Sequence, residues 1–375
     1  MTRRLWKHVL FVLLIFIESS LGMPFVHQGD GSGESGENDS RQTANLVVLI
    51  EGQVSVKRKG WSTYAPLVFG SNLEPGDLLH LDQSSHAKVV CSDLTLHDVQ
   101  PGIAGVPCVR SQPLLRRAGG SVIDATRGWP SDGSFPMVLS PRKTKILSPN
   151  PILRWTPVQG ATVYSVIVRG ATLYWVSRVR TSTEILYPQK APRLESGQDY
   201  KLIVNVDDRS SSAEPGLGLG FSLLDVKDRK KVLREENQIK DLRLSEGPTQ
   251  FLIAHLYATY RLNAEAIQRL ESISPKFKVA AVERFLGNLY VEIGLTRQAE
   301  AHYLTSLALS GNEKDEEGEM LDHLALARIY EQALGNPKSA GEHLDATLVL
   351  AIKLGDDRTA SEAKKALREL NKGGT

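Results

Sequence analysis

The sequence predicts a multidomain protein in which two N-terminal all-β modules precede an all-α helical solenoid. Three observations carry this expectation. Hydrophobic residues alternate with period two between residues 46 and 99, and again between 153 and 206. After Leu224 the period becomes helical. Finally, Ala254, Tyr257, Ala266 and Leu270 recur 33 positions later as Gly287, Tyr290, Ala299 and Tyr303.

A length of 375 residues leaves room for two or three domains, and 41% hydrophobic with 23% charged residues is an ordinary globular composition. The net charge of +2 argues against a nucleic-acid binder, whose basic residues concentrate on one face. The short basic runs at 57–59, 116–117 and 228–231 read as solvated surface.

The first eight residues, "MTRRLWKH", are basic, and "VLFVLLIFI" at 9–17 is apolar. Small residues in "ESSLG" follow, so residues 1–22 read as a secretory signal peptide. The apolar run is shorter than the roughly 20 residues a membrane span needs. This predicts a periplasmic or secreted protein with no membrane span after cleavage. Residues 23–44 are mostly polar and glycine-rich and read as a flexible linker. Two cysteines follow, Cys91 and Cys108. Outside the cytoplasm an even count implies a disulfide, and no Cys-x-x-Cys spacing points to a metal or redox site.

Residues 45–110 form the first β module. In "LVVLIEGQVSVKRKG", Val47, Leu49, Val54 and Val56 alternate around Gly52, and short alternating runs continue to Val99. The pattern Gly52-x-Val54, Gly70 before Leu73, Gly76-Asp77 and the runs 87–90 and 94–99 resembles a FecR-type domain. The resemblance implies an extracytoplasmic domain. Known FecR regulators touch a sigma factor through a cytoplasmic segment. The eight residues ahead of the apolar run leave no room for one, so direct sigma-factor control is not expected. His80, His86 and His97 match no common ligand spacing and read as surface residues.

A Pro/Gly/Ser-rich linker over 111–140 leads to the second module, 141–208. Here Leu153, Trp155, Tyr164, Val166 and Val168 alternate, as do Tyr200, Leu202, Val204 and Val206. The run Leu194-x-x-Gly197-x-x-Tyr200 resembles the tyrosine corner of a fibronectin type III-like sandwich, which places Trp155 in its core. An alternative makes Trp155, Tyr174 and Trp175 a platform for glycan or peptidoglycan. Core and strand packing is the plainer reading. Residues 209–224 read as a linker, and the glycines of "AEPGLGLGF" lack the strand-to-helix context of a phosphate loop.

Residues 225–372 are helical. Val226, Val232, Leu233, Ile239 and Leu242 share a face of the first helix. Further helices are predicted over 249–262, 264–273, 277–293, 296–310, 317–334 and 337–354, with a capping helix over 359–370. A third copy of the repeat carries Ala327, Tyr330, Ala340 and Leu344. Small residues at these positions allow two helices to cross closely, where an added methylene costs about 1–3 kcal/mol. Gly294 terminates a helix. The spacing is similar to the tetratricopeptide repeat. That resemblance implies a protein- or peptide-binding groove lined by Phe251, His255, Thr259, Arg284, Asn288, Glu292, Leu324, Arg328 and Glu331. Within it, Arg284, Asn288 and Arg328 form a candidate donor cluster for a peptide carboxylate, unless they are simply a solvated helix face.

Three functional classes follow. The first is a non-enzymatic scaffold that binds a protein or peptide partner in the cell envelope. The second is a cell-envelope sensor or regulator related to FecR-type signalling. The third is an enzyme, but Gly-x-Ser-x-Gly, His-Glu-x-x-His and Walker patterns are missing. The acidic run "DEEGE" at 315–319 suits a helix N-terminus. No catalytic residue, cofactor or metal is therefore expected.

Overall fold

Alternation in "VSVK" and "LLHL" turns Val54, Val56, Leu79 and Leu81 to one side, and a sheet forms there. The computed structural model describes residues 43–108, 114–115, 135–206, 210–212 and 219–373. The expected signal peptide and most of the 23–44 linker lie outside them. In the first module, β1 (Leu46–Glu51), β5 (His86–Val90) and β6 (Leu96–Val99) form one antiparallel sheet in the order β1-β5-β6. The strands β2 (Val54–Lys57), β3 (Ala65–Pro66), β4 (Leu78–Leu81) and β7 (Gly102–Gly105) form the other, in the order β3-β2-β4-β7. Val47, Val56, Leu79, Leu81 and Val89 fill the space between them. Leu46, Val48 and Val90 instead face the helices. Strand β1 is thus buried on both sides, which is why "LVVLI" is a continuous apolar run rather than a clean alternation.

Cys91 and Cys108 are joined in a disulfide across 17 residues. A loop of that size stabilises by about 3 kcal/mol in the chain-entropy account. The bond fits an oxidising, extracytoplasmic compartment. No helix among the described residues is long and apolar enough to cross a membrane.

The second module pairs β8 (Val138–Ser140), β10 (Ile152–Trp155) and β13 (Glu184–Leu186) in the order β13-β10-β8. Facing it are β9 (Thr144–Ile146), β11 (Val163–Arg169), β12 (Tyr174–Arg180), β14 (Asp199–Val206) and β16 (Phe221–Leu223), in the order β12-β11-β14-β16-β9. The two-residue strand β15 (Ser210–Ser211) pairs with β14. Trp155 lies in the core beside Tyr164. The Tyr200 hydroxyl accepts from Glu195 N at 2.8 Å, closing the corner that the Leu-x-x-Gly-x-x-Tyr spacing predicts.

Three linker boundaries are corrected. Ala44 is buried and donates to Leu115 O, and Leu115 is buried too. Strand β8 lies inside the expected 111–140 linker, and β15 and β16 inside the expected 209–224 linker. Strands of two or three residues are too short to show alternation, and only their pairing defines them.

Among the described residues eight helices follow: α1 (Val226–Asp241), α2 (Glu246–Thr259), α3 (Asn263–Ile273), α4 (Ala280–Glu292), α5 (Thr296–Glu313), α6 (Glu316–Gln332), α7 (Pro337–Leu354) and α8 (Asp357–Gly373). The Asp225 side chain caps α1 by accepting from Asp228 N. Helices α2 and α3, α4 and α5, and α6 and α7 pack as hairpins, with α8 against α7. The repeat residues sit where the spacing places them. A Cβ on Gly287 would lie 2.8 Å from the Tyr303 ring, so α4 and α5 cross at a distance that only glycine permits there.

The β modules and helices form one compact unit over the described residues. In the first module, Phe69 lies between Phe251 and Phe277, with ring centroids 5.1 and 4.9 Å away. Trp61 packs with Met320, Ala351, Leu354 and Ala360. In the second module, Lys145 N donates to Arg261 O and Arg142 Nε to Ile293 O.

Candidate binding site on the first-helix face

Helices α2, α4 and α6 line the face that the repeat register assigns to a partner. The chain itself occupies much of it. Phe251 is 1% exposed, against Phe69. His255 is 7% exposed and stacks on Phe285 at 3.9 Å. Thr259 is half-buried and its hydroxyl donates to His255 O. Glu292 is half-buried, and burial raises its carboxyl above the usual range. Asn288 is half-buried, with its Oδ1 accepting from Tyr303 at 2.6 Å. Leu324 is half-buried, and only Arg328 and Glu331 are exposed.

The donor cluster expected of Arg284, Asn288 and Arg328 is corrected at Arg284. Its Nε donates to Asp322 at 2.9 Å, and its Nη2 reaches Ser310 at 2.9 Å and Asp315 at 3.0 Å. A guanidinium already engaged by two carboxylates offers little to a peptide carboxylate. Burial pushes the Asp322 carboxyl up to about 6, against the pull of Arg284. Of these partners only Asp315 belongs to the acidic run at 315–319. Asp315 also caps α6 by accepting from Gly318 N, so the helix-start reading accounts for only half of its role.

The second ionic cluster was not legible. Arg58, in a basic run expected to be solvated, is mostly enclosed, donating to Asp77 at 2.7 Å and to Glu317 at 2.6 Å. It also donates to Asn72 O. Asp77 holds the turn behind it by accepting from Lys59 N and Glu74 N. The Gly76-Asp77 pair was the available signal, but nothing in its spacing named Arg58. Between the two clusters a cavity of about 120 Å³ remains, lined by residues including Asn72, His255, Arg284, Asn288 and Glu317.

The three-ring platform is not assembled. Trp155 is core and Trp175 packs edge-on against Tyr187 at 4.9 Å, while Tyr174 projects from the opposite face of β12. Adjacent strand residues point to opposite faces. His80, His86 and His97 have separate neighbours: the Tyr64 ring, Asp98 and Thr95.

One titrating pair beside the site gives a pH expectation. The Nδ1 atoms of His323 on α6 and His343 on α7 lie 2.8 Å apart, so one donates to the other while at least one is neutral. Burial, then the neighbouring His343, pushes His323 down to about 4, and burial lowers His343. Glu342 and Glu300 face the pair and pull His343 the other way. An unfolded imidazole titrates near 6.5, so below that pH the unfolded chain takes up protons that the folded pair refuses. This contribution is complete above about pH 6.5 and is lost as pH falls toward 4. Asp322 at about 6 and Glu265, raised by burial to about 7, tilt stability the opposite way. The readout is therefore a difference. The melting temperature of wild type minus that of His323→Gln/His343→Gln is expected to shrink between pH 6.5 and 4. A constant difference removes the histidine pair as its source.

No protein-family model matches the chain, and no curated protein matches it. Solved structures similar to parts of it include the following three. BtubC (BKLC) from P. vanneervenii is 17% identical over 39% of this chain and 73% of that one, at a TM-score of 0.20. The fibronectin(III)-like modules of Clostridium thermocellum CbhA are 11% identical over 49% and 80%, at 0.17. A beta-1,2-glucanase from Parabacteroides distasonis is 10% identical over 88% of this chain and 49% of that one, at 0.21. At these scores none of the three assigns the chain a fold family or a chemistry.

Proposed function

We propose that this chain is a non-enzymatic extracytoplasmic scaffold that takes a protein or peptide partner at the open end of its first-helix face. In this reading the modules are FecR-like, fibronectin type III-like and TPR-like in turn. The 33-residue repeat, seated as helix hairpins with Gly287 against Tyr303, supports the last of these. The observation that carries the proposal is the division of the groove. Phe251, His255 and Arg284 are spent on contacts within the chain, while Arg328 and Glu331 remain exposed beside Leu324 and Asn288. A partner is therefore held along α4 and α6, beside the cavity, rather than along the whole stack.

The test uses the full chain. A partner is cross-linked in envelope extract, purified, and titrated against wild type and Arg328→Glu/Glu331→Lys. The reading expects the charge swap to weaken binding by about tenfold or more, the scale of one or two charge-assisted contacts. Equal affinity for both proteins rejects it. The envelope-sensor reading has one observation in its favour: a polar clamp, Arg58 to Glu317, joins the FecR-like module to α6. Deleting the coding region should then change transcription of a neighbouring operon, and an unchanged profile counts against it.

A further inference from the structure

Strand β12 ends the larger sheet of the second module and, among the described residues, pairs on one side only, with β11. Backbone bonds at both ends of this hairpin fix its phase: Gly170 N to Leu173 O at 2.8 Å, and Thr181 N to Thr162 O at 3.3 Å. Bonded pairs alternate along an antiparallel ladder. Trp175, Ser177 and Val179 therefore bond toward β11, while the N–H and C=O groups of Tyr174, Val176 and Arg178 point away from it. At the strand's end, Arg180 O accepts from Ser182 N.

The residues with outward backbone also carry exposed side chains. Tyr174 is 65% and Val176 46% exposed, and Arg178 and Arg180 are exposed. Arg169 stands opposite Tyr174 on β11, and Lys201 opposite Arg169 on β14. The guanidinium groups of Arg169, Arg178 and Arg180 have no carboxylate partner among the described residues. In this they contrast with Arg58, Arg154 and Arg284, each of which is paired. Ile167 lies opposite Val176, and Ile203 opposite Ile167, so an apolar row crosses the face beside the cations.

We propose that β12 accepts an acidic, extended peptide segment of a partner as an added strand. The proposal rests on the reading of this chain as a partner-binding scaffold and names a second surface for it. Outward donors and acceptors at strand spacing match another extended backbone, which neither a lipid headgroup nor a sugar reproduces. Side chains directly opposite one another on a sheet face are neighbours. The incoming strand thus places acidic side chains against Arg178 and Arg180 and an apolar one against Val176.

The test titrates full-length protein with a fluorescein-labelled peptide bearing glutamate at two alternate positions and valine at the next two. Saturable binding is expected, weakened about tenfold or more in Arg178→Glu/Arg180→Glu. Lysine in place of glutamate, or N-methylation of alternate peptide amides, should abolish it. The melting temperature of the variant should match wild type, because both arginines are exposed. Several results overturn the proposal: no binding, equal binding of the N-methylated peptide, indifference to the charge reversal, or preference for phosphatidylglycerol vesicles. Self-association dispersed by the same charge reversal also overturns it, since a second copy then covers the edge. Arg328→Glu must leave this peptide's affinity unchanged; loss there places the peptide on the helices instead. Failure at β12 with the Arg328 result intact leaves the scaffold reading standing.

Discussion

Replacing Arg284 with methionine is expected to destabilise the protein by about 3–5 kcal/mol, the range for breaking a buried ion pair by removing one partner. Asp322 is fully buried, and the Asp315 side chain is almost so. Without the guanidinium, two carboxylates face each other with Ser306 and the α6 N-terminus as their remaining support. Methionine keeps the volume and removes the charge, so the loss is electrostatic rather than a cavity effect. The penalty should depend on pH. The folded value of Asp322 already lies near 6, above its unfolded value, and its stabilising contribution is lost as pH rises through that point. Removing Arg284 raises the folded value further. Urea unfolding should therefore show a larger deficit at pH 7.5 than at pH 5, and Arg284→Met/Asp322→Asn should recover part of it. A deficit below about 1 kcal/mol at neutral pH, the scale of a surface pair, would show that the cluster is solvated.

Gly70→Val is expected to loosen the first β module from the helices. Gly70 has φ +78°, and a side chain there would run into Ala281 and come within 3.2 Å of the Phe251 ring. A β-branched residue in the left-handed region costs about 1–3 kcal/mol, and overpacking adds about 1–3 kcal/mol. Both act at the tip of the turn that sets Phe69 between Phe251 and Phe277. Hydrogen exchange should show lost protection in residues 68–72 and in α2 and α4, with β10, β11 and β14 unchanged. Wild-type protection in all of these segments would mean that the loop does not depend on the close approach of Gly70.

These two sites differ in what the sequence offered. Gly70 was visible as a turn glycine, but its contact with α4 was not, because Ala281 lies over two hundred positions away and leaves no periodic trace. Arg284 was visible as a residue on the partner-facing side of its helix. One charge partner, Asp315, stands in an acidic run that a helix start explains equally well, and the other, Asp322, lies further along α6. The boundaries of two helices, by contrast, were read closely, while 249–262 and 277–293 compare with Glu246–Thr259 and Ala280–Glu292. The expected 296–310 and 337–354 compare with Thr296–Glu313 and Pro337–Leu354, because amphipathic spacing and terminal glycines act within a few residues.

The sequence alone determined the order of strands before helices, the pairing of Cys91 with Cys108, the Tyr200 corner and the 33-residue register of the helix hairpins. Each is set by residues close in the chain, or by a spacing that repeats. Only the tertiary structure decided what the first-helix face touches, which arginines are neutralised, and that β12 pairs on one side only among the described residues. An apolar or basic helix face is equally suited to a partner or to a distant segment of its own chain. The choice falls to packing between segments such as Arg58 and Glu317, 259 residues apart, about which local pattern says nothing.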